Sequence, residues 1–201
     1  MTQAQDPDPA TSHLARSLRR GNQARFGDLY ERLGPAIYAW ACVRVPGVLR
    51  SRIDPEDVVQ EVWVRAHERF STFDPERGTF RGWTFGIASH VVLKAMRRLR
   101  ERSVSQGSQE SIFDLDDMPE EATSFSRRVA RDDVLRRFVE RLEALDEDER
   151  RLILHRGLEG RPLPEVAALV GIEPEAAKKR WQRLRDKLTL PGSPLDVLID
   201  E

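Results

Sequence analysis

The chain holds 201 residues, of which 39% are apolar and 33% charged, with 12 glycines and 12 prolines. This excludes collagen-like and low-complexity classes and fits one large domain or two small ones. The single cysteine, Cys42, excludes an intramolecular disulfide and argues against a cysteine-based zinc site, and no apolar run reaches the length of a membrane span. The formal net charge is -1, but the charges are unevenly placed. Residues 81–102 carry six basic side chains and one acid, and residues 175–190 carry six basic and two acidic, so the rest of the chain is strongly acidic. Two separated basic patches on an acidic background point to two contact points on one polyanion.

In chain order, residues 1–13 hold Asp6, Pro7, Asp8 and Pro9 without apolar periodicity and read as a disordered tail. The polar, acidic start has no apolar signal core, so a cytoplasmic protein is expected. Asn22 is a suitable N-cap, and Phe26, Leu29, Tyr30 and Leu33 follow at helical spacing. Gly34 and Pro35 are expected to break that helix. Ile37, Tyr38, Trp40 and Ala41 begin another, ending near Pro46 and Gly47. Asp54-Pro55 is a strong helix start, a capping carboxylate followed by proline at the first helical position. Val58, Val62, Ala66 and Phe70 then form one apolar stripe, and Glu56, Asp57, Gln60 and Glu61 are expected largely elsewhere on the surface. Residues 73–78 read as a loop and Thr79 as the next cap. Phe80, Trp83, Ile87 and Val91 form the inner stripe of a helix that runs out into Arg97, Arg98, Arg100 and Arg102.

Residues 103–126 contain six acids and no lysine or arginine, are rich in serine, and read as a flexible acidic linker. Order resumes near Arg127. Val134, Leu135, Phe138, Val139 and Leu142 make an amphipathic helix, and Asp146 with Glu149 has capping-box spacing. Residues 157–160 read as a turn. Pro164 opens a short helix with Val166, Ala167 and Val170, Gly171 ends it, and Pro174 opens a last helix. Ala177, Trp181, Leu184 and Leu188 face inward there. Lys178, Lys179, Gln182, Arg183 and Arg185 are left outward or on the flanks. Helix, glycine turn, helix is helix-turn-helix spacing, and lysine, glutamine and arginine suit the acceptors of a major groove. An ordinary basic, solvated helix gives the same pattern. The fold class is all-α, two small helical domains joined by the linker.

These residues resemble the bacterial RNA polymerase sigma factors of the extracytoplasmic-function type. The resemblance rests on Gly21-Asn22 with Ala24-Arg25-Phe26 and Leu29-Tyr30, and on the run Asp54-Pro55-Glu56-Asp57-Val58-Val59-Gln60-Glu61-Val62. It rests also on Phe73-Asp74-Pro75-Glu76-Arg77-Gly78 with Phe80-Arg81-Gly82-Trp83 and Ile87-Ala88. The last block runs over 145–188 with Leu158-Glu159-Gly160, Glu165-Val166-Ala167 and Gly171-Ile172. It implies a sigma-two-like domain over 14–102, the linker over 103–126, a sigma-four-like helix-turn-helix domain over 127–190 and a short acidic tail over 191–201. It implies core RNA polymerase and promoter DNA as partners, with Asp57, Gln60 and Glu61 as polymerase contacts. The helix after Thr79 corresponds to the segment that opens and reads the minus-ten element, giving Trp83, His90, Lys94, Arg97, Arg98 and Arg100. The last helix corresponds to the minus-thirty-five reader, giving Lys178, Lys179, Gln182 and Arg183. The two readers must span about two helical turns of DNA. The family usually has asparagine where this chain has His90, aspartate at Lys94, serine at Pro162 and Lys179, and threonine at Ala176. The minus-ten and minus-thirty-five sequences therefore do not follow from the resemblance. Family members are often held inactive by an anti-sigma protein, which adds one to the candidate partners.

A stand-alone helix-turn-helix regulator is the alternative; it would dimerise on half-sites one turn apart and leave the Asp54–Glu61 helix without a role. An enzyme has little support. His13, His67, His90 and His155 are dispersed, and no zinc-protease, serine-hydrolase or phosphate-loop motif is present. No catalytic residue, metal or cofactor is assigned, and the expected location is the bacterial cytoplasm, at the nucleoid.

Overall fold

The computed structural model describes residues 9–19, 25–104 and 132–188, and among them it holds helices and no strand. The helices are α1 (Pro9–Arg19), α2 (Arg25–Arg44), α3 (Pro55–Glu68), α4 (Phe80–Val104), α5 (Asp133–Glu143), α6 (Glu147–Leu152), α7 (Leu163–Val170) and α8 (Pro174–Leu188). A π-helical segment, Ile153–Leu158, continues α6 without a break. Most of the linker expected at 103–126, and the acidic tail, lie outside the described residues, as does Asn22.

The caps legible in the sequence form as expected. The Asp54 carboxylate accepts from the Glu56 N–H at 2.8 Å with Pro55 in the first turn, and the Asp146 carboxylate accepts from Glu149 at 2.8 Å. The Thr79 hydroxyl accepts from the Gly82 N–H at 3.0 Å. Asp132 caps α5 by accepting from Val134 and Leu135. Each satisfies an N–H that has no partner within its helix.

Four expectations are corrected. The tail 1–13 is overrun by α1, which starts at Pro9 because Thr11, Ala15 and Leu18 recur at helical spacing and are buried. Gly34 and Pro35 do not break the helix: α2 runs straight through Pro35. An internal proline removes one backbone hydrogen bond and costs about 3 kcal/mol. Burial of Leu29, Tyr30 and Leu33 before it, and of Ala36, Ile37 and Trp40 after it, offsets that loss. The helix of the arginine run extends past Arg102 to Val104. Residues 157–160 are not a simple turn, since Gly157 and Leu158 close the π-helical segment and only Gly160, at φ 72°, turns the chain.

Packing explains the π-helical segment. A Cβ added to Gly157 would lie 2.7 Å from Ile153 Cδ1 and 3.1 Å from Trp181 Cη2, so any larger residue here would require Ile153 and the Trp181 ring to shift. Gly157→Ala is expected to lower stability by about 1–3 kcal/mol through overpacking, measured by urea unfolding of the full chain.

α3 is sandwiched between α2 and α4, and α1 lies along α2. α5 packs on α2 through Leu135, Phe138, Val139 and Leu142, while Val134 of the expected stripe stays 39% exposed. α6, α7 and α8 pack on one another, with Gly171 at φ 76° making the turn between α7 and α8. One contiguous apolar core runs from Ala15 in α1 through α2, α3 and α4 to Leu188 in α8. The two blocks of the chain are therefore closed on each other.

Candidate nucleic-acid interface

The outward face of α4 is a cationic stripe. His90, Lys94 and Arg97 recur at helical spacing and are exposed, and Arg98 and Arg100 are exposed beside them. Leu93 stands 57% exposed among these cations and offers an apolar contact beside the charges, which the residue types alone did not single out. Trp83 is half-buried, with its ring 5.4 Å from Phe80 and 5.5 Å from Phe73. Phe73 and Trp83 line an open cleft of about 380 Å³ together with Thr72, Asp74, Arg77, Gly78, Thr79 and Gly82. A cleft with aromatic walls and a guanidinium at its rim suits a planar base turned out of a stacked strand. Trp83 was expected as a minus-ten contact, while residues 73–78 were read from sequence only as a loop, so the cleft they form with it was not foreseen.

Arg81 is the surprise on this helix. Counted in the basic patch, it is only 1% exposed. It falls on the same face as Thr84, Phe85 and Ala88, all buried, a register that distinguishes it from the outward cations. Its Nε donates to the Leu158 carbonyl at 2.8 Å and its Nη2 to the Gly157 carbonyl at 3.2 Å. Its guanidinium also stands 5.8 Å from the Phe85 ring centre.

The last helix sorts its cations. Arg180 pairs with Asp148 at 3.2 Å and Lys187 with Glu149 at 2.8 Å, which ties α8 to α6. Lys178, Lys179, Gln182 and Arg183 are all exposed, and the three cations among them make no ion pair with the described residues. Trp181 is 5% exposed under the Arg156 guanidinium, at 6.0 Å, and is core as the inward stripe requires. Pro162 stands at the N-cap of α7, which has no side-chain cap.

The acidic rim of α3 is narrower than the residue pattern suggests. Gln60 is 6% exposed, so its expected surface position is corrected. Because α2 and α4 cover α3 from two sides, Val59, Gln60 and Trp63 are buried along with Val58, Val62 and Ala66. Asp57 and Glu61 are half-buried. The Glu61 carboxylate accepts from Arg65 Nε at 2.7 Å, so its charge is partly answered within the helix.

The seam between the blocks is polar as well as apolar. Trp40 Nε1 donates to Glu159 Oε1 at 2.9 Å. Glu159 Oε2 lies 3.0 Å from His155 Nδ1 and accepts from Arg161 Nε at 2.6 Å. Burial pushes the Glu159 carboxyl upward, but its bonds from His155, Trp40 and Arg161 outweigh this and hold it below the usual carboxylate range. It is therefore charged at neutral pH, and its bonding is lost only as pH falls through that lowered pKa. Arg50 bonds both the Cys42 carbonyl and the Glu143 carboxylate across the seam. Cys42 is buried, and desolvation pushes its thiol up to about 12. No group of histidine, cysteine and carboxylate side chains that could hold a metal ion forms among the described residues, and no helix there is long and apolar enough to cross a membrane.

Comparison with known proteins joins these surfaces to a family. The model for Sigma-70 region 2 matches residues 29–102 and that for Sigma-70 region 4 matches residues 135–188. The chain is 32% identical over 187 residues to the RNA polymerase sigma factor CnrH of Cupriavidus metallidurans, covering 92% of this chain and 95% of that one. It is 31% identical over 186 residues to the sigma factor NccH of Alcaligenes xylosoxydans xylosoxydans, covering 90% and 95%. It is 26% identical over 177 residues to the ECF sigma factor SigD of Mycobacterium tuberculosis, covering 86% and 81%. A solved structure of CnrH in complex with the cytosolic domain of CnrY aligns over 91% of this chain and 95% of that chain, at 30% identity and a TM-score of 0.42. The chain therefore belongs to the sigma-70 family as an RNA polymerase sigma factor of the extracytoplasmic-function type, directing promoter recognition and transcription initiation.

Proposed function

We propose that this sigma factor docks on core RNA polymerase through the acidic rim of α3, reads the minus-ten element with α4 and reads the minus-thirty-five element with α8. The observation that supports this reading is the sorting of charge on the two helices. Cations that serve packing are paired or buried (Arg81, Arg180, Lys187), while Lys94 and Arg97 on α4, beside the exposed His90, and Lys178, Lys179 and Arg183 on α8 are left at the surface. Arg98 and Arg100 supply further backbone contacts beside the first set. Surface cations on adjacent helical turns suit a phosphate track, and lysine, arginine and glutamine suit base edges in the major groove.

The chain contributes no chemical step in this reading. The cleft at Phe73 and Trp83 takes an unstacked base, and preferential binding of the melted strand shifts the duplex toward opening. It acts in the cytoplasm, where polymerase and DNA are. An anti-sigma protein is a further proposed partner, acting by covering the polymerase-facing or DNA-facing surfaces.

On α3, Asp57 and Glu61 are the docking residues, and the buried Gln60 supports the helix from beneath. Asp57→Lys tests this face with little disturbance of the core. Core polymerase binding should weaken about tenfold, chiefly through a slower on-rate, with helical content by circular dichroism unchanged. Unaltered core binding would place the docking face elsewhere.

A further inference from the structure

The large apolar side chains of α4 from Phe80 to Leu99 are buried in the core or packed against it, with one exception. Leu93 does not join that cluster and stands 57% exposed. A lone exposed leucine needs no explanation on an ordinary surface, but the neighbours of this one give it a use. α4 runs unbroken over Phe80–Val104, so Leu93 lies three residues after His90, four before Arg97 and directly beside Lys94. Side chains three and four apart on a helix stand about 5–6 Å from one another. The four form a compact diamond with one apolar corner, and all four are exposed.

The polar corners leave a gap that the apolar one fills. Lys94 and Arg97 carry hydrogen-bond donors only, and His90 adds one donor or acceptor according to its tautomer. In a major groove, donors suit the O6 and N7 of guanine and equally the O4 of thymine. Donors alone do not separate those two bases. Thymine differs by its 5-methyl group, the one apolar feature on the major-groove edges of the four bases. A leucine set among donors supplies that distinction: a cation takes O4 while the isobutyl group covers the methyl.

We propose that Leu93 is a specificity-determining residue that selects thymine in the minus-ten element by packing on its 5-methyl group. The inference rests on the reading of α4 as the minus-ten helix. The helix also limits where that thymine lies. Leu93 is ten residues beyond Trp83, about 15 Å along the axis. At a rise of about 3.4 Å per base pair, the thymine falls within about four base pairs of the base held in the Phe73–Trp83 cleft. It lies on the side that is still paired, since only paired DNA presents a major groove.

The test removes the methyl group from the DNA and the leucine from the protein. The promoter is first located by run-off transcription, and each thymine of its minus-ten element is then replaced singly by 2′-deoxyuridine, which keeps O4 and loses only the methyl. Binding of the wild-type holoenzyme should fall about fourfold at one paired thymine, the effect of burying one methyl group. Leu93→Ala holoenzyme should bind the thymine promoter about fourfold more weakly than wild type and show no further loss with deoxyuridine at that position. The weaker deoxyuridine pair opens more easily whatever stands at position 93, so comparing the two proteins cancels that effect. Lys94→Ala is the matched variant: it should weaken binding to both DNAs and leave their ratio as in wild type. A methyl effect that Leu93→Ala leaves unchanged, or no methyl effect at any paired thymine, would overturn the role of Leu93 while the α4 reading stands. Unchanged promoter binding by both Lys94→Ala and Arg97→Ala would instead overturn the α4 reading, and the role of Leu93 with it.

Discussion

Phe80→Ala is expected to lower the unfolding free energy by about 3–5 kcal/mol, the range for deleting a fully buried aromatic side chain. Phe80 opens α4 with no exposed surface. Its ring is 5.3 Å from Phe73, 5.4 Å from Trp83 and 6.0 Å from Phe70, mostly edge-to-face. Such aromatic pairs add about 0.5–1.5 kcal/mol each beyond the area they bury. Phe73 and Trp83 are also the walls of the cleft, so on the proposed reading the loss is functional as well as structural. The expected result is a large fall in the urea midpoint, with promoter opening impaired more than binding to duplex. A loss under about 1.5 kcal/mol would mean the cluster collapses easily, and the cleft would then not be a preformed site.

The second large effect is at Arg183. If its guanidinium reads a base edge with two hydrogen bonds, Arg183→Ala should cost about 1–3 kcal/mol of promoter affinity, roughly fivefold to 150-fold, and relax specificity at one position of the minus-thirty-five element. A uniform loss across sequences, with a reduced slope against salt, would make it a phosphate contact instead. Arg180→Ala is the matched control. Its guanidinium is already bonded to Asp148, so its removal should change DNA affinity little and cost only the small stability of an exposed pair. Comparable losses at both positions would contradict the sorting of cations on α8.

Much of the helical architecture was legible because its signals are local. Asp54-Pro55, Thr79 and Asp146 sit next to the N–H groups they cap, so the stretch of sequence around each contains the whole interaction. The inward stripe of α8, Ala177, Trp181, Leu184 and Leu188, was likewise readable from its period, and all four residues are buried. The misreadings are tertiary. Pro35 has the chemistry of a helix breaker, and only the apolar packing on both sides of it keeps α2 whole. Gln60 looked like part of an acidic rim because a single apolar stripe was assumed for α3. The second covering helix widened the buried arc to include it. α1 was missed because Thr11, Ala15 and Leu18 are too small and sparse to announce a buried face before α2 is present to receive it. Arg81 was counted in the first basic patch because composition does not record which carbonyls a distant segment will bring to it. The seam itself pairs residues more than seventy positions apart, Arg81 with Leu158 and Trp40 with Glu159. No periodicity reports such contacts.

The cationic faces of the candidate interface were the most visible feature, since exposed lysine and arginine on a helix need no partner to be recognised. What the sequence could not rank was which cations are committed to structure. Pairing with Asp148 and Glu149, and burial of Arg81, reduce the two basic patches to narrower stripes.

The most direct measurement is gel filtration of the purified chain with bacterial core RNA polymerase at moderate salt. Co-elution at one copy per core is the predicted result, with a smaller share of Asp57→Lys co-eluting once the concentrations are lowered toward the wild-type Kd. A stable dimer of the chain that elutes apart from polymerase, and binds DNA without it, would contradict the account.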